Sequence, residues 1–285
     1  MITISIKCEL YNDNFQNFKK YNIPKAQLVI CDIPYNVGDK AYGSNPMWYV
    51  GGDNSNGESN LAKKSFFNSD GYFKIAEYFH FCNRLVKPEP KERGEAPCMI
   101  VFCAFEQIQT VIEYAARYGF VKYIPLVFIK NYSPQVLKAN MRVVGATEYA
   151  LVLYRDKLPK FRNDGKMVFN WFSWIRDGNN VPKIHPTQKS IGTLKELIQI
   201  FTDPGDVVID PCAGSGSTLR AAYELGRPSY GFEIDRKIYQ RAVKEMIEPV
   251  KEQLMFWELE QESRFRGPDG GQIGMELLYD DTVRR

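Results

Sequence analysis

Histidine is scarce in this chain: 285 residues contain only His80 and His185. The six cysteines, Cys8, Cys31, Cys82, Cys98, Cys103 and Cys212, form no C-x-x-C pair. Both absences argue against a zinc site, and no metal is expected. Several cysteines lie inside apolar runs such as "CMIVFC", the pattern of buried free thiols in a reducing compartment. No apolar run approaches the length of a membrane span. The start, "MITISIKCEL", lacks the basic-then-apolar order of a signal peptide. A cytoplasmic location without a membrane partner is therefore expected. Excess charge is also lacking: 37 Lys and Arg against 34 Asp and Glu leave a formal charge of +3. That balance permits a local basic surface without requiring one.

Aromatic residues are plentiful, at 14% with 17 Tyr and 18 Phe. Most belong to a core, and some suit a site that stacks flat ligands. Short apolar runs read as strands at Gln27–Cys31, Cys98–Phe102, Ile124–Ile129, Tyr149–Tyr154, Val207–Ile209 and Tyr230–Phe232. Helical periodicity marks Phe73–Leu85 and Phe105–Tyr118. In "SIGTLKELIQIFTDPGD" it places Ile191, Leu194, Leu197, Ile198 and Phe201 on one face, with Pro204-Gly205 as the stop. Ser217–Leu225 ends at Gly226, and Asp235–Ile247 ends before Pro249. Alternating short strands and helices predict an α/β fold with a mostly parallel sheet covered on both faces. The whole chain, 1–285, reads as one domain.

Three stretches interrupt the pattern. Residues 36–68 are polar and rich in Gly, Asn and Ser ("GGDNSNGESN"), as in either a functional lid or a disordered surface loop. Residues 155–183 mix basic residues with Phe161, Phe169, Trp171, Phe172 and Trp174. The tail, 249–285, is charged and Gly-containing. It is expected to wrap the surface or form subunit contacts, with a homodimer as one option.

The strongest local signal is "DVVIDPCAGSGSTLRAAYELGRPSYGFEID". A strand runs into Asp210-Pro211, then Gly214-Ser215-Gly216, then a helix and a second strand ending at Glu233. Glycines at a strand-to-helix turn let a ligand approach the backbone closely, and an acid about 20 residues on suits a ribose diol. A phosphate-binding P-loop is excluded because no Lys follows Gly216. A dinucleotide fingerprint wants a third Gly at position 219, which is Leu. A nucleoside cofactor without phosphates and with a small charged tail remains, and S-adenosylmethionine fits. Its positive groups favour nearby carboxylates such as Asp210 and Asp32.

A second signal is "QLVICDIPYN", in which a buried strand ends at Asp32-Ile33-Pro34-Tyr35. Asp and Pro are ordinary strand terminators, so this stretch alone is ambiguous. Three blocks together are not. "DIPY" resembles the D-P-P-Y motif of DNA amino-methyltransferases, "DPCAGSGST" their D-P-F-x-G-S-G-T cofactor loop, and "HPTQKS" (His185–Ser190) their H-P-T-Q-K-P block. Their order is similar to that of the beta class, in which the catalytic motif precedes the cofactor loop. The likeness runs from about Leu10 to Met246. Ile33, Cys212 and Ser190 depart from the family's usual Pro, Phe and Pro.

The resemblance implies a Rossmann-like methyltransferase fold, a seven-stranded sheet with helices on both faces and permuted motif order. It implies S-adenosylmethionine as cofactor and DNA as partner. The catalytic set carried over is Asp32, Ile33, Pro34 and Tyr35. The Asp32 carboxylate and Ile33 carbonyl would accept the N–H bonds of an exocyclic amine. Pro34 would stiffen the turn, and Tyr35 would stack the base. The cofactor set is Asp32, Thr187, Lys189, Asp210, Pro211, Ala213, Gly214, Ser215, Gly216, Ser217, Thr218, Glu233 and Ile234, with Asp13 as a further contact. Thr187 and Lys189 are expected to hold the cofactor's methionine carboxylate. The loop 36–68, with Trp48, Tyr49, Lys63 and Lys64, would close over a base flipped out of the duplex. Residues 155–183 fall where the family recognises its target sequence. The acid at position 32 favours adenine N6 over cytosine N4. A non-catalytic nucleic-acid-binding subunit with the same fold is the alternative from another class.

Overall fold

The computed structural model describes residues 6–34, 73–131, 135–138, 143–185 and 187–253. Tyr35, the loop 36–68, Pro186 and the tail from residue 254 therefore lie outside the described residues. The chain divides into two units, Met1–Ile247 and Glu248–Arg285. Of the second, residues 248–253 are described and helical.

In the first unit the described strands are β1 (Cys8–Tyr11), β2 (Leu28–Asp32), β3 (Cys98–Cys103), β4 (Lys122–Lys130), β5 (Gln135–Lys138), β6 (Val143–Gly145), β7 (Thr147–Tyr154), β8 (Trp171–Trp174), β9 (Val208–Asp210) and β10 (Ser229–Phe232). The helices are α1 (Ile75–Leu85), α2 (Ile108–Arg117), α3 (Ile191–Phe201), α4 (Ser217–Glu224) and α5 (Arg236–Arg241), the last running into a π-type stretch, Ala242–Ile247. β5 and β6 pair with each other. The other strands form one sheet in the order β1-β10-β9-β2-β3-β7-β4-β8. Only β7 runs against the rest, antiparallel to both β3 and β4. The predicted mostly parallel α/β sheet is present, with eight strands rather than seven. The extra one is β8, which pairs along the outer side of β4. Its four residues alternate exposed and buried, too short a run to stand out as a strand in sequence.

Alternate residues of each central strand feed two cores. Leu28 and Ile30 point to the side covered by α3, α4 and the π-type stretch, while Val29 and Cys31 point to the side covered by α1 and α2. Burial on both faces explains why these strands read as unbroken apolar runs. α3 buries its predicted stripe, Ile191, Leu194, Leu197, Ile198 and Phe201. Its N-terminus is capped from a distance: Asp177 Oδ1 accepts the Ile191 N–H at 2.9 Å and the Ser190 hydroxyl at 3.2 Å.

The topology locates the site. β9 leads outward to β10 on one side, and β2 leads to β3 on the other, while β9 and β2 are parallel neighbours. Where strand order reverses, the loops at the carboxyl ends diverge and leave a crevice. Asp210 ends β9 and Asp32 ends β2, so both acids stand at its mouth.

Candidate active site

The glycine loop has the geometry its sequence requires. Gly214 and Gly216 have φ of 51° and 77°, left-handed values that a side chain disfavours. The Ala213 N–H donates to the Phe232 carbonyl at 2.9 Å, tying the loop to β10. The Gly216 N–H donates to the Ala213 carbonyl at 2.8 Å, closing the turn. The Ser215 and Ser217 hydroxyls lie 2.8 Å apart, and α4 begins at Ser217. A Cβ on Gly216 would lie 3.3 Å from Ile247 Cδ1, so the π-type stretch backs the loop. Such insertions in helices often accompany functional sites.

Two carboxylates border this loop. Asp210 is buried, and burial pushes its carboxyl up to about 7 against the opposing Thr218 hydroxyl and Cys212 N–H. That N–H donates to Asp210 Oδ1 at 3.1 Å. Burial also pushes Glu233 up to about 7, although the Asp235 N–H donates to its Oε1 at 2.6 Å. No salt bridge with a described cation neutralises either acid. A ligand bringing hydroxyl donors and a positive charge would supply what they lack, so these residues fit the cofactor inferred from sequence. Beside Glu233, Ile234 is 46% exposed, an apolar surface for a flat ring. Asn12, not anticipated from sequence, donates to the carbonyls of Glu233 at 2.9 Å and Ile234 at 3.3 Å and holds this corner. Asp13 is engaged in its own loop. Its oxygens accept from Asn14 N–H at 2.8 Å, Asn17 Nδ2 at 2.6 Å and the Tyr21 hydroxyl at 3.0 Å.

The turn after β2 is pinned on both sides. The Ile33 N–H donates to the Phe102 carbonyl at 3.2 Å. Gln107 Nε2 donates to the Pro34 carbonyl at 3.0 Å, while its Oε1 accepts the Ala104 N–H at 3.0 Å. Ile33 buries its side chain in the α1/α2 core. An apolar anchor thus stands where the family usually has Pro, and it fixes the backbone by packing.

Lys189 meets two protein carboxylates. Its ammonium is 2.6 Å from Asp32 Oδ2 and 3.0 Å from Glu148 Oε2. Glu148 also pairs with Lys130 through its other oxygen. This ammonium thus serves two protein carboxylates, partners that the sequence does not reveal. Burial opposes its charge, but Asp32 and Glu148 outweigh burial and raise its pKa. Burial likewise opposes ionisation of Glu148, and Lys189 with Lys130 reverses that, holding its carboxyl below the usual range. The Thr187 hydroxyl is 3.0 Å from His185 Nδ1. Burial, reinforced by Lys189, lowers His185 to about 4, so it is neutral at neutral pH. Gln188 closes the same turn, accepting from the Ile184 N–H at 3.0 Å and donating to the Pro182 carbonyl at 3.0 Å.

The 155–183 stretch divides in two. Phe172 and Trp174 are core residues of β8. Lys160 pairs with Asp203 and Asp206 at 2.7 Å, and Arg162 with Asp203 at 2.7 Å and Glu95 at 2.9 Å. These four residues hold the fold together. Phe169, 74% exposed, and Trp171, 46% exposed, remain on the surface, stacked with centroids 5.8 Å apart.

Residues 26–244 match the model of the N6/N4 family described as DNA methylase. The chain belongs to this family of DNA methyltransferases. The match takes in β2 with Asp32, the His185–Lys189 turn and the glycine loop. The DNA adenine methyltransferase YhdJ of Escherichia coli K12 is 25% identical over 260 residues, covering 84% of this chain and 82% of YhdJ. The type II methyltransferase M.MjaI of Methanocaldococcus jannaschii is 31% identical over 162 residues, 48% of this chain and 53% of the relative. Among solved structures, the M1.HpyAVI–SAM complex superposes with a TM-score of 0.61 at 24% identity, covering 84% of this chain and 98% of that one. The cytosine-N4-specific PvuII DNA methyltransferase superposes at 0.59 and 14% identity, covering 87% and 92%. Both superpositions bear on fold alone, and because one neighbour is cytosine-N4-specific the fold does not decide the base. Among the described residues, no group of three or more potential ligands could hold a metal, and no helix is long and apolar enough to cross a membrane.

Sequence reasoning missed Lys130, Gln107, Asn12 and Gly231. A Cβ on Gly231 would lie 2.7 Å from Leu219 Cδ1 and 2.9 Å from Ala213 Cβ, so this glycine lets β10 pack against the glycine loop. An isolated Gly inside a strand was its signal. Glu148 stands one residue before the predicted strand Tyr149–Tyr154 and carries no separate signal in sequence.

Proposed function

We propose that this DNA methyltransferase transfers a methyl group from S-adenosylmethionine to the exocyclic N6 of adenine in DNA. The observation that carries the reading is the meeting, at the strand-order reversal, of a cofactor-shaped glycine loop with an Asp32 carboxylate paired to a buried ammonium. The cofactor brings an electrophilic methyl on a sulfonium. Glu233 takes the ribose hydroxyls, Ile234 faces the adenine ring, and Asp210 with the backbone of Ala213–Thr218 lines the remainder. Asp32 and the Ile33 carbonyl accept the two N–H bonds of the target amine and draw its lone pair out of conjugation with the ring. Pro34 and Gln107 hold that turn rigid, and Tyr35 offers its face to the base. Most of the acceleration comes from holding donor and acceptor aligned. A base stacked in a duplex cannot reach this crevice, so the target is flipped out. The exposed Phe169–Trp171 stack is the part of 155–183 suited to touching nucleic acid. Action on DNA goes with a cytoplasmic protein.

Adenine is favoured over cytosine by the acid at position 32, which the family resemblance associates with adenine. The relation to YhdJ supports it over most of both chains. Stacking adds a bias on the order of 1 kcal/mol toward the larger ring. Digesting methylated DNA to nucleosides and separating them by mass spectrometry tests the reading. N6-methyladenine is expected. N4-methylcytosine alone would overturn the base while leaving the fold and family standing.

A further inference from the structure

Four charged side chains from four separate segments form a continuous line: Lys130 at the end of β4, Glu148 on β7, Lys189 in the His185–Lys189 turn, and Asp32 at the end of β2. Signs alternate along it. Lys189, its central member, is enclosed by aromatic rings, with its ammonium 5.2 Å from the Phe102 centroid and 5.7 Å from that of Trp174. Trp174 is shared, since Lys130 lies 4.9 Å from its centroid on β4's side. A surface salt bridge contributes little. A buried one is costly to assemble and more costly to break, so this line needs a reason.

The surroundings of Asp32 supply one. The groups facing it are Lys189 and, beyond it, Glu148, Lys130 and His185. Asp210 faces it from β9, the Cys103 thiol from β3 and the Cys212 thiol from the cofactor loop. Asp210 is a second carboxylate, and the two acids repel each other. Without a cation at hand, one such acid takes up a proton. A protonated Asp32 would lose the charge that makes it an acceptor for the target amine.

We propose that Lys189 is a positioning residue that keeps Asp32 ionised and fixes the plane of its carboxylate, and that Glu148, anchored by Lys130, holds Lys189 in place. This rests on the methyltransferase reading of Asp32, and it gives Lys189 a role distinct from cofactor binding. Trp174 and Phe102 wall the line, which gives the extra strand β8 a part in the site. Glu148 also competes with Asp32 for the one ammonium. The two substitutions along the line therefore act in opposite directions.

The test is the pH dependence of kcat/KM for methyl transfer to DNA, read beside the S-adenosylmethionine dissociation constant of each variant. The acidic limb reports the ionisation of the free enzyme's essential groups. Lys189→Met should move that limb to higher pH by about one unit or more and leave the dissociation constant within about threefold. Glu148→Gln should move the limb the other way. An unmoved limb in Lys189→Met overturns the proposal, and a tenfold loss of cofactor affinity with that limb unmoved returns Lys189 to the cofactor. Carboxyl-carbon NMR of labelled Asp, with Asp32 assigned by its loss in Asp32→Asn, reads the same shift without turnover. If the wild type transfers no methyl group to DNA, the functional reading fails, and the NMR titration still decides whether Lys189 governs Asp32. If Lys189→Met does not fold, the direction of the Glu148→Gln shift decides.

Discussion

Replacing Gly231 by alanine would test the packing that holds the glycine loop. A Cβ at this position would meet Leu219 Cδ1 at 2.7 Å, Ala213 Cβ at 2.9 Å and the Asp210 carbonyl at 3.1 Å. Leu219 is buried on α4 and cannot swing into solvent. The Ala213 methyl has no torsion to turn, and the Asp210 carbonyl belongs to β9, directly across from Gly231 in the ladder. Relief must come from moving β10 or the loop. Overpacking of this kind costs about 1–3 kcal/mol, partly offset by about 0.4–1 kcal/mol from the stiffer unfolded chain. The net loss is roughly 1–2 kcal/mol, or a Tm lower by about 2–8 °C for a domain of this size. Gly192→Ala is the control. This glycine is in α3 with only Ser190 Oγ nearby, at 3.8 Å, and no positive φ, so alanine should raise the Tm slightly. Differential scanning calorimetry of the ligand-free variants measures both. Because the strain falls on Ala213, Gly231→Ala should also weaken S-adenosylmethionine binding in titration calorimetry. A Gly231→Ala protein as stable as the wild type would refute the close-approach argument.

Asp210→Asn probes the raised carboxyl. Its folded value, about 7, lies above the ordinary value of 3.8, so its contribution to stability is present at low pH and lost as pH rises from about 4 through about 7. The Tm of the neutral variant relative to the wild type should therefore climb across that window in ligand-free protein, and parallel curves would show that Asp210 does not titrate this way. Glu233→Ala should raise the S-adenosylmethionine dissociation constant about tenfold or more, since losing charge-assisted hydrogen bonds costs about 1.5–3 kcal/mol. Unchanged titration calorimetry would remove Glu233 from the ribose site.

What could be read from the residues depended on the range of the signal. The glycine loop and the turn after β2 are local: each is a strand, a stop and a few residues in one run, and each lies where those runs implied. The six strands and five helices that periodicity marked are all present. β1 was missed because four residues carry little pattern and its partner, β10, lies more than 200 residues away. β8 was missed because "WFSW" shows its alternation only once one face is known to be buried. The protein partners of Lys189 are invisible in sequence. Asp32 and Glu148 reach it only after β2 and β7 are placed on either side of β3. The basic residues of 155–183 fall where the family recognises its target, yet Asp203, Asp206 and Glu95 claim Lys160 and Arg162. Composition records that charges exist without recording which of them are already paired.

The central claim is that Asp32 acts on the target amine beside a cofactor held by the glycine loop. Purified wild-type protein and Asp32→Ala would be incubated with S-adenosylmethionine labelled in its methyl group and mixed-sequence DNA, with cofactor binding measured on the same preparations. The account predicts label in the DNA with wild type and none above background with Asp32→Ala, while the variant's cofactor dissociation constant rises only modestly. Full transfer by Asp32→Ala would contradict it.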